Sequence, residues 1–220
     1  MFHMQLENSG WAGSDTLICV FAVLLLAAVL IAVCRRGRKW SPAEVSYGAL
    51  SIAMSFALSF VKLYSMPTGG SVTLASMLPV MLFASAFGPV KGLLCGMAYG
   101  VLQCLQGGWI VHPVQFLLDY PLAFAMLGLS GIRIFPSAKG KAAKTAALCA
   151  SMLLAAFGRA LCATLAGVFF WNTAFFASVV YNGAYLLPDI AICMLIAVPA
   201  APVIIRMMRS GTGKSKTRAK

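Results

Sequence analysis

The sequence predicts an all-α polytopic membrane protein. Three observations carry this. Of its 220 residues, 61% are hydrophobic and only 10% charged, with a mean hydropathy of +0.90. A soluble domain of this size could not bury so much apolar surface. Several apolar stretches approach the roughly 20 residues that a membrane-spanning helix needs. Finally, the charge is segregated. The formal net charge is +12, and fifteen of the seventeen basic residues cluster between the stretches or at the tail.

These basic residues are Arg35, Arg36, Arg38 and Lys39, then Lys91, then Arg133, Lys139, Lys141 and Lys144, and last Arg206, Arg209, Lys214, Lys216, Arg218 and Lys220. They fall at alternate helix ends, the positive-inside pattern that orients a polytopic protein beside anionic lipid. A nucleic-acid binder would gather its charge on one face, and none is expected here.

Seven spans follow in order. The first, 16–34, trails an acidic, aromatic leader (Glu7, Trp11, Asp15) and precedes a basic stop. A signal peptide would carry its basic residues in front and a small-residue cleavage site behind, so 16–34 reads as a retained helix with its N-terminus outside. The others are 45–64, 73–87, 90–105, 113–132, 145–171 and 177–207. MPTGGS, the turn at Gly88 and Pro89, QGGWIVHP, RIFPSAKGKAAK and NTAFFA separate them. The C-terminus is expected in the cytoplasm. The last span is long and carries Pro188 and Pro199, where a kink or tilt is expected. The chain thus divides into a leader and extra helix (1–40), a six-helix domain (41–209) and a basic tail (210–220).

Two small-residue stripes recur every four residues, Ala49, Ala53 and Ala57 on one helix and Gly92, Gly96 and Gly100 on another. Such stripes let helices approach closely in lipid. The glycines read as internal packing; the alanines read either as packing or as a docking face. GTGKS at 211–215 mimics the end of a phosphate-binding loop, but Met208 occupies the place of the required glycine and no strand precedes it. Seven cysteines lie scattered in apolar segments without paired spacing. They read as buried thiols, with neither a disulfide framework nor a zinc site. No HExxH, nucleophile elbow or paired catalytic acids appear. Neither an enzyme nor a cofactor is expected.

The chemistry gathers at one level. Asp119, one of only five acids, sits in a stretch with no other permanent charge. A carboxylate in hydrocarbon costs roughly 2.5–3.5 kcal/mol on insertion scales, so such acids usually face a cavity or a partner. Tyr120 adjoins it, Trp171 closes the next helix, and Tyr181 and Asn182 open the last, with Trp109, His112 and Gln115 alongside. An aromatic belt would explain the rings but neither the acid nor the amide. An acid among aromatic faces suits a flat, cationic or amino-bearing ligand. Two alternatives stay open: Arg159 as the salt-bridge partner of Asp119 or Asp189, and these three groups as an ion relay of an autonomous transporter or channel. Lys62 is expected to snorkel from a helix end, and His112 to serve helix entry.

The runs MPTGGSVTLASMLPVMLFA, GLLCGMAYGVLQCLQGGWIVHPVQFLLDYPLAFAMLGLSG, AGVFFW and YNGAYLLPD, taken in this order, resemble the thiamine-specific S-components of energy-coupling factor (ECF) vitamin transporters over about 45–209. The resemblance implies a six-helix S-component-like bundle, with 16–34 as an addition. It implies ligand binding through Asp119, Tyr120, Trp171, Tyr181 and Asn182, with Gly167 approaching the ligand closely. It also implies docking through Ala49, Ala53 and Ala57 on a transmembrane coupling subunit served by two ATPase subunits, in the cell membrane. Two positions depart from the pattern: Ala163 stands where the family has a histidine, and Ala177 where it has a tyrosine. The implied ligand is therefore thiamine or a close relative.

Overall fold

The computed structural model describes residues 39–67, 69–132, 134 and 140–213. The leader, the extra helix at 16–34 and the tail from 214 onward lie outside the described residues. Within them the chain forms six helices and one small hairpin.

Helix α1, Pro42–Ser59, opens with a reciprocal cap: the Ser41 amide donates to Glu44 Oε2 (2.8 Å) and the Glu44 amide to Ser41 Oγ (3.3 Å). Pro42 at the helix start has no amide hydrogen to satisfy. The helix ends at Ser59, well short of the expected 64. Strand β1, Lys62–Ser65, pairs antiparallel with β2, Ser71–Thr73, around Gly69 and Gly70, both at positive φ. Lys62 is therefore a hairpin residue and not a snorkelling helix end. The prediction of helix alone failed here because hydropathy cannot distinguish an apolar hairpin from the end of a span.

Helix α2, Leu78–Phe87, also starts later than the expected 73, because Thr73 and Ser76 are engaged in side-chain bonds that compete with helix. Its ten residues rise about 15 Å, and its first seven are all buried. It is the central post of the bundle, packed against α1, α3, α4 and α6. Helix α3, Pro89–Cys104, follows after the single residue Gly88.

Helix α4, Pro113–Gly131, is irregular. It runs as α-helix to Leu117, widens to a π turn over Leu118–Leu122, and tightens to 3₁₀ over Met126–Gly131. Pro121 lies in the widened turn, lacking the amide that would continue the ladder. Helices α5, Lys141–Phe170, and α6, Phe175–Gly211, complete the bundle. α4, α5 and α6 are long and apolar enough to cross a membrane. Phe176 and Leu195 on α6 are 80% and 77% exposed, as lipid-facing residues should be.

The glycine stripe packs internally, as expected. A Cβ at Gly92 would lie 2.3 Å from that of Ala84, at Gly96 2.2 Å from the Phe124 carbonyl oxygen, and at Gly100 2.3 Å from the Tyr120 carbonyl oxygen. α3 therefore presses directly on the backbone of α4. Ala49, Ala53 and Ala57 instead face outward and are exposed.

Lys91 does not lie in a solvated basic cluster. It is buried against Glu44 at 2.6 Å and sits over the Trp40 ring, joining α3 to the start of α1. At the same end, Arg209 donates to the carbonyls of Ser85 (2.7 Å) and Ala86 (3.1 Å), closing the end of α2.

Candidate ligand-binding site

A cavity of about 740 Å³ opens at the hairpin end of the bundle. Asp119, Tyr120, Gly167, Trp171, Tyr181 and Asn182 all line it. Residues more than 60 positions apart in sequence thus meet at one chamber.

The widened turn of α4 carries Asp119 and Tyr120. Gln115, one turn earlier, is 1% exposed and donates from Nε2 to Asp119 Oδ2 (2.6 Å). It also donates to the Trp109 carbonyl (3.1 Å) and accepts from the Val111 amide (3.2 Å). His112 caps α4 through Nδ1, which accepts from the Val114 amide at 3.1 Å. Its ring stacks on Phe170 at 5.0 Å. Trp109 meets Trp171 with ring centroids 6.0 Å apart. These two ring pairs tie the loop before α4 to the end of α5.

Trp171 is held by the way α5 stops. Asn172 adopts the left-handed conformation (φ 48°), which asparagine tolerates better than most residues. The Trp171 and Thr173 amides both return to the Gly167 carbonyl (3.3 and 3.2 Å). Gly167 lines the cavity, but the close approach it permits is to α6, since a Cβ there would lie 2.3 Å from Ser178 Oγ. Its missing side chain therefore seats one helix on another at the cavity wall.

Asn182 is buried and largely engaged within α6. Nδ2 donates to the Ser178 carbonyl (2.9 Å), and Oδ1 accepts from the Tyr185 hydroxyl (2.8 Å). A lone pair on Oδ1 remains for a ligand. Tyr181 spends its hydroxyl on the hairpin, donating to the Gly69 carbonyl. Its ring borders the cavity while its polar tip latches the cap.

Arg159 pairs with neither acid. Its guanidinium lies 4.1 Å from the Phe124 ring centroid, with Nη1 on the Met77 sulfur (2.6 Å). Asp189 is 2% exposed and accepts from Thr73 instead. The salt bridge left open by the sequence is absent, and an ion relay has no continuous contact among these three groups.

Sequence reasoning missed the polar floor of the chamber. Thr73 and Ser76 are joined hydroxyl to hydroxyl at 2.7 Å, and Gln103 donates to the Tyr99 hydroxyl at 2.8 Å. The one available signal was the cluster of hydroxyls in SVTLAS after the glycine pair. Ala163 and Ala177 both line the cavity, so the two departures from the expected pattern fall on its wall.

Fold and chamber together define a class: an apolar helical membrane protein with a polar, aromatic-walled cavity beneath a hairpin cap. The chain belongs to the thiamine transporter family (Thia_YuaJ), whose profile matches residues 45–208. It is 35% identical over 145 residues to the thiamine transporter ThiT of Bacillus subtilis (strain 168), covering 60% of this chain and 75% of that protein. It is 27% identical over 105 residues to the ThiT of Lacticaseibacillus paracasei, covering 44% and 52% of the two chains. A solved structure of ThiT from Listeria monocytogenes superposes with a TM-score of 0.65 at 24% identity, covering 75% of this chain and 96% of that one. The structural likeness bears on fold, and the named relatives are transporters rather than enzymes.

Proposed function

We propose that this protein is the substrate-capture subunit of an ECF-type uptake system and binds thiamine or a close relative beneath the hairpin. One observation carries the reading. The family's matched segment folds so that Asp119, Tyr120, Trp171, Tyr181 and Asn182 converge on a single cavity. Asp119 supplies the charge for a cationic or amino-bearing ring, Trp171 and Tyr120 supply faces, and Asn182 supplies an acceptor. Binding occurs from the outside, with the C-terminus cytoplasmic. The exposed stripe of Ala49, Ala53 and Ala57 docks on a transmembrane coupling subunit driven by two ATPase subunits.

Tryptophan fluorescence of the purified full chain tests it. Titration with thiamine, thiamine phosphates and the isolated pyrimidine should give saturable quenching by thiamine that Trp171→Ala abolishes. A response to a relative but not to thiamine would assign the site to that relative, with Ala163 and Ala177 marking the change. Silence towards all three would overturn the vitamin reading.

A further inference from the structure

The Asp119 carboxylate does not reach the cavity alone. Gln115 is almost fully buried at 1% exposure, and three of its hydrogen-bonding positions are filled within the protein. The orientation of its amide is unambiguous. The oxygen faces the Val111 amide, whereas the nitrogen faces two acceptors, the Trp109 carbonyl and Asp119 Oδ2. Turning the amide over would set its oxygen against both acceptors and its NH₂ against an N–H, losing all three bonds.

The consequence lies in which oxygen is committed. Oδ2 receives the Gln115 amide, while Oδ1 receives no hydrogen bond from any described residue. The same amide nitrogen grips the carbonyl of Trp109, whose ring leans on Trp171. One side chain therefore sets the rotamer of the acid and the seat of the aromatic wall together. The acid stands in a π turn, where the regular ladder of the helix is interrupted. An amide anchored one turn earlier, in regular helix, holds its carboxylate.

We propose that Gln115 is a positioning residue for the ligand-binding acid, holding Asp119 so that Oδ1 meets an N–H-bearing heteroaromatic cation. This rests on Asp119 being the acid that the ligand contacts, and the test separates the two ideas.

Full-length protein is titrated with thiamine as wild type, Gln115→Met, Asp119→Asn and the double variant. Gln115→Met should weaken binding about tenfold, the scale of a hydrogen bond to a charged group. In the Asp119→Asn background the same change should cost less than about twofold, because the carboxylate it served is gone. A general loosening of the bundle would add its full cost in both backgrounds, and additive losses would overturn the proposal. So would wild-type affinity in Gln115→Met.

Should Gln115→Met fail to fold, Gln115→Asn keeps a neutral polar amide but draws it back by one methylene, out of reach of Asp119. It should weaken binding at least as far, and unchanged affinity would overturn the proposal. A ligand-free arm stands apart from the vitamin. The chain has three aspartates, Asp15, Asp119 and Asp189, so labelling aspartate with carbon-13 leaves a sparse carboxylate infrared spectrum. Subtracting Asp119→Asn isolates the Asp119 band, which should shift in Gln115→Met. An unmoved band refutes the positioning role even where thiamine proves to be the wrong ligand; a shifted band beside a wild type silent to thiamine upholds it and removes only the vitamin.

Discussion

Asp189, deep in α6, accepts from both the hydroxyl (3.0 Å) and the amide (3.3 Å) of Thr73 at the end of β2. A buried carboxylate is thus satisfied by the segment that caps the cavity. Lifting the hairpin would leave that acid without either donor, a cost of roughly 1–3 kcal/mol or more for a charged group.

Thr73→Val removes the hydroxyl while keeping the shape of the side chain. Backbone amides of 62–73 should then exchange hydrogen faster, by about tenfold if the local opening energy falls by 1.4 kcal/mol. Protection equal to wild type would show that the hairpin is held by Tyr181 and the turn alone.

The glycine stripe gives a paired comparison. Gly96→Ala would place a Cβ 2.2 Å from the Phe124 carbonyl oxygen, whereas at Gly183 the nearest atom is 3.9 Å away. Gly96→Ala should destabilise the protein by about 1–3 kcal/mol through overpacking. Gly183→Ala, within a helix, should stabilise it by up to about 1 kcal/mol. Thermal unfolding in detergent reads both, and equal effects would contradict the close α3–α4 seam.

The Glu44–Lys91 pair is buried to 0% and 5% exposure. Lys91→Met removes the ammonium 2.6 Å from a buried carboxylate and should destabilise the protein by up to about 3–5 kcal/mol, the scale of breaking a buried pair from one side. Adding Glu44→Gln should recover much of that loss, since a neutral amide can still accept from the Ser41 amide. If the double variant is no more stable than Lys91→Met, the pairing is not what matters at this position.

Ala53 is exposed at the middle of the alanine stripe. Ala53→Leu should leave thiamine affinity unchanged, because the residue does not line the cavity. Uptake driven by ATP should be abolished in cells carrying the coupling proteins. Intact uptake would remove this face from the docking role.

The helical core was legible because apolar runs and four-residue spacings are local signals. Gly92, Gly96 and Gly100 could be read as packing before their partners were known. Convergence of Asp119, Trp171 and Asn182 was legible too, since alternate helix ends bring their levels together. What escaped depended on tertiary partners. The hairpin at Lys62 hid inside an apolar run, and the helix start at Leu78 was set by bonds from Thr73 and Ser76. Arg159 rests on Phe124 and Met77, which no charge pattern would select. The Gln115–Asp119 bond was within reach as an i, i+4 pair, but the grip on Trp109 was not.

Helix α6 is fastened at both ends. Tyr181 and Asp189 hold the hairpin, while Arg209 clasps the far end of α2. Between Asp189 and Arg209 the helix rises about 30 Å, and Pro199 and Pro202 interrupt its ladder there. Sliding such a rod would tear both fastenings at once. A bend at the prolines, where hydrogen bonds are already missing, would leave both fastenings whole, since Tyr181 and Asp189 lie together on one side and Arg209 on the other. The upper half of α6 and the hairpin would then swing as one piece, like a hinged mast whose foot stays seated.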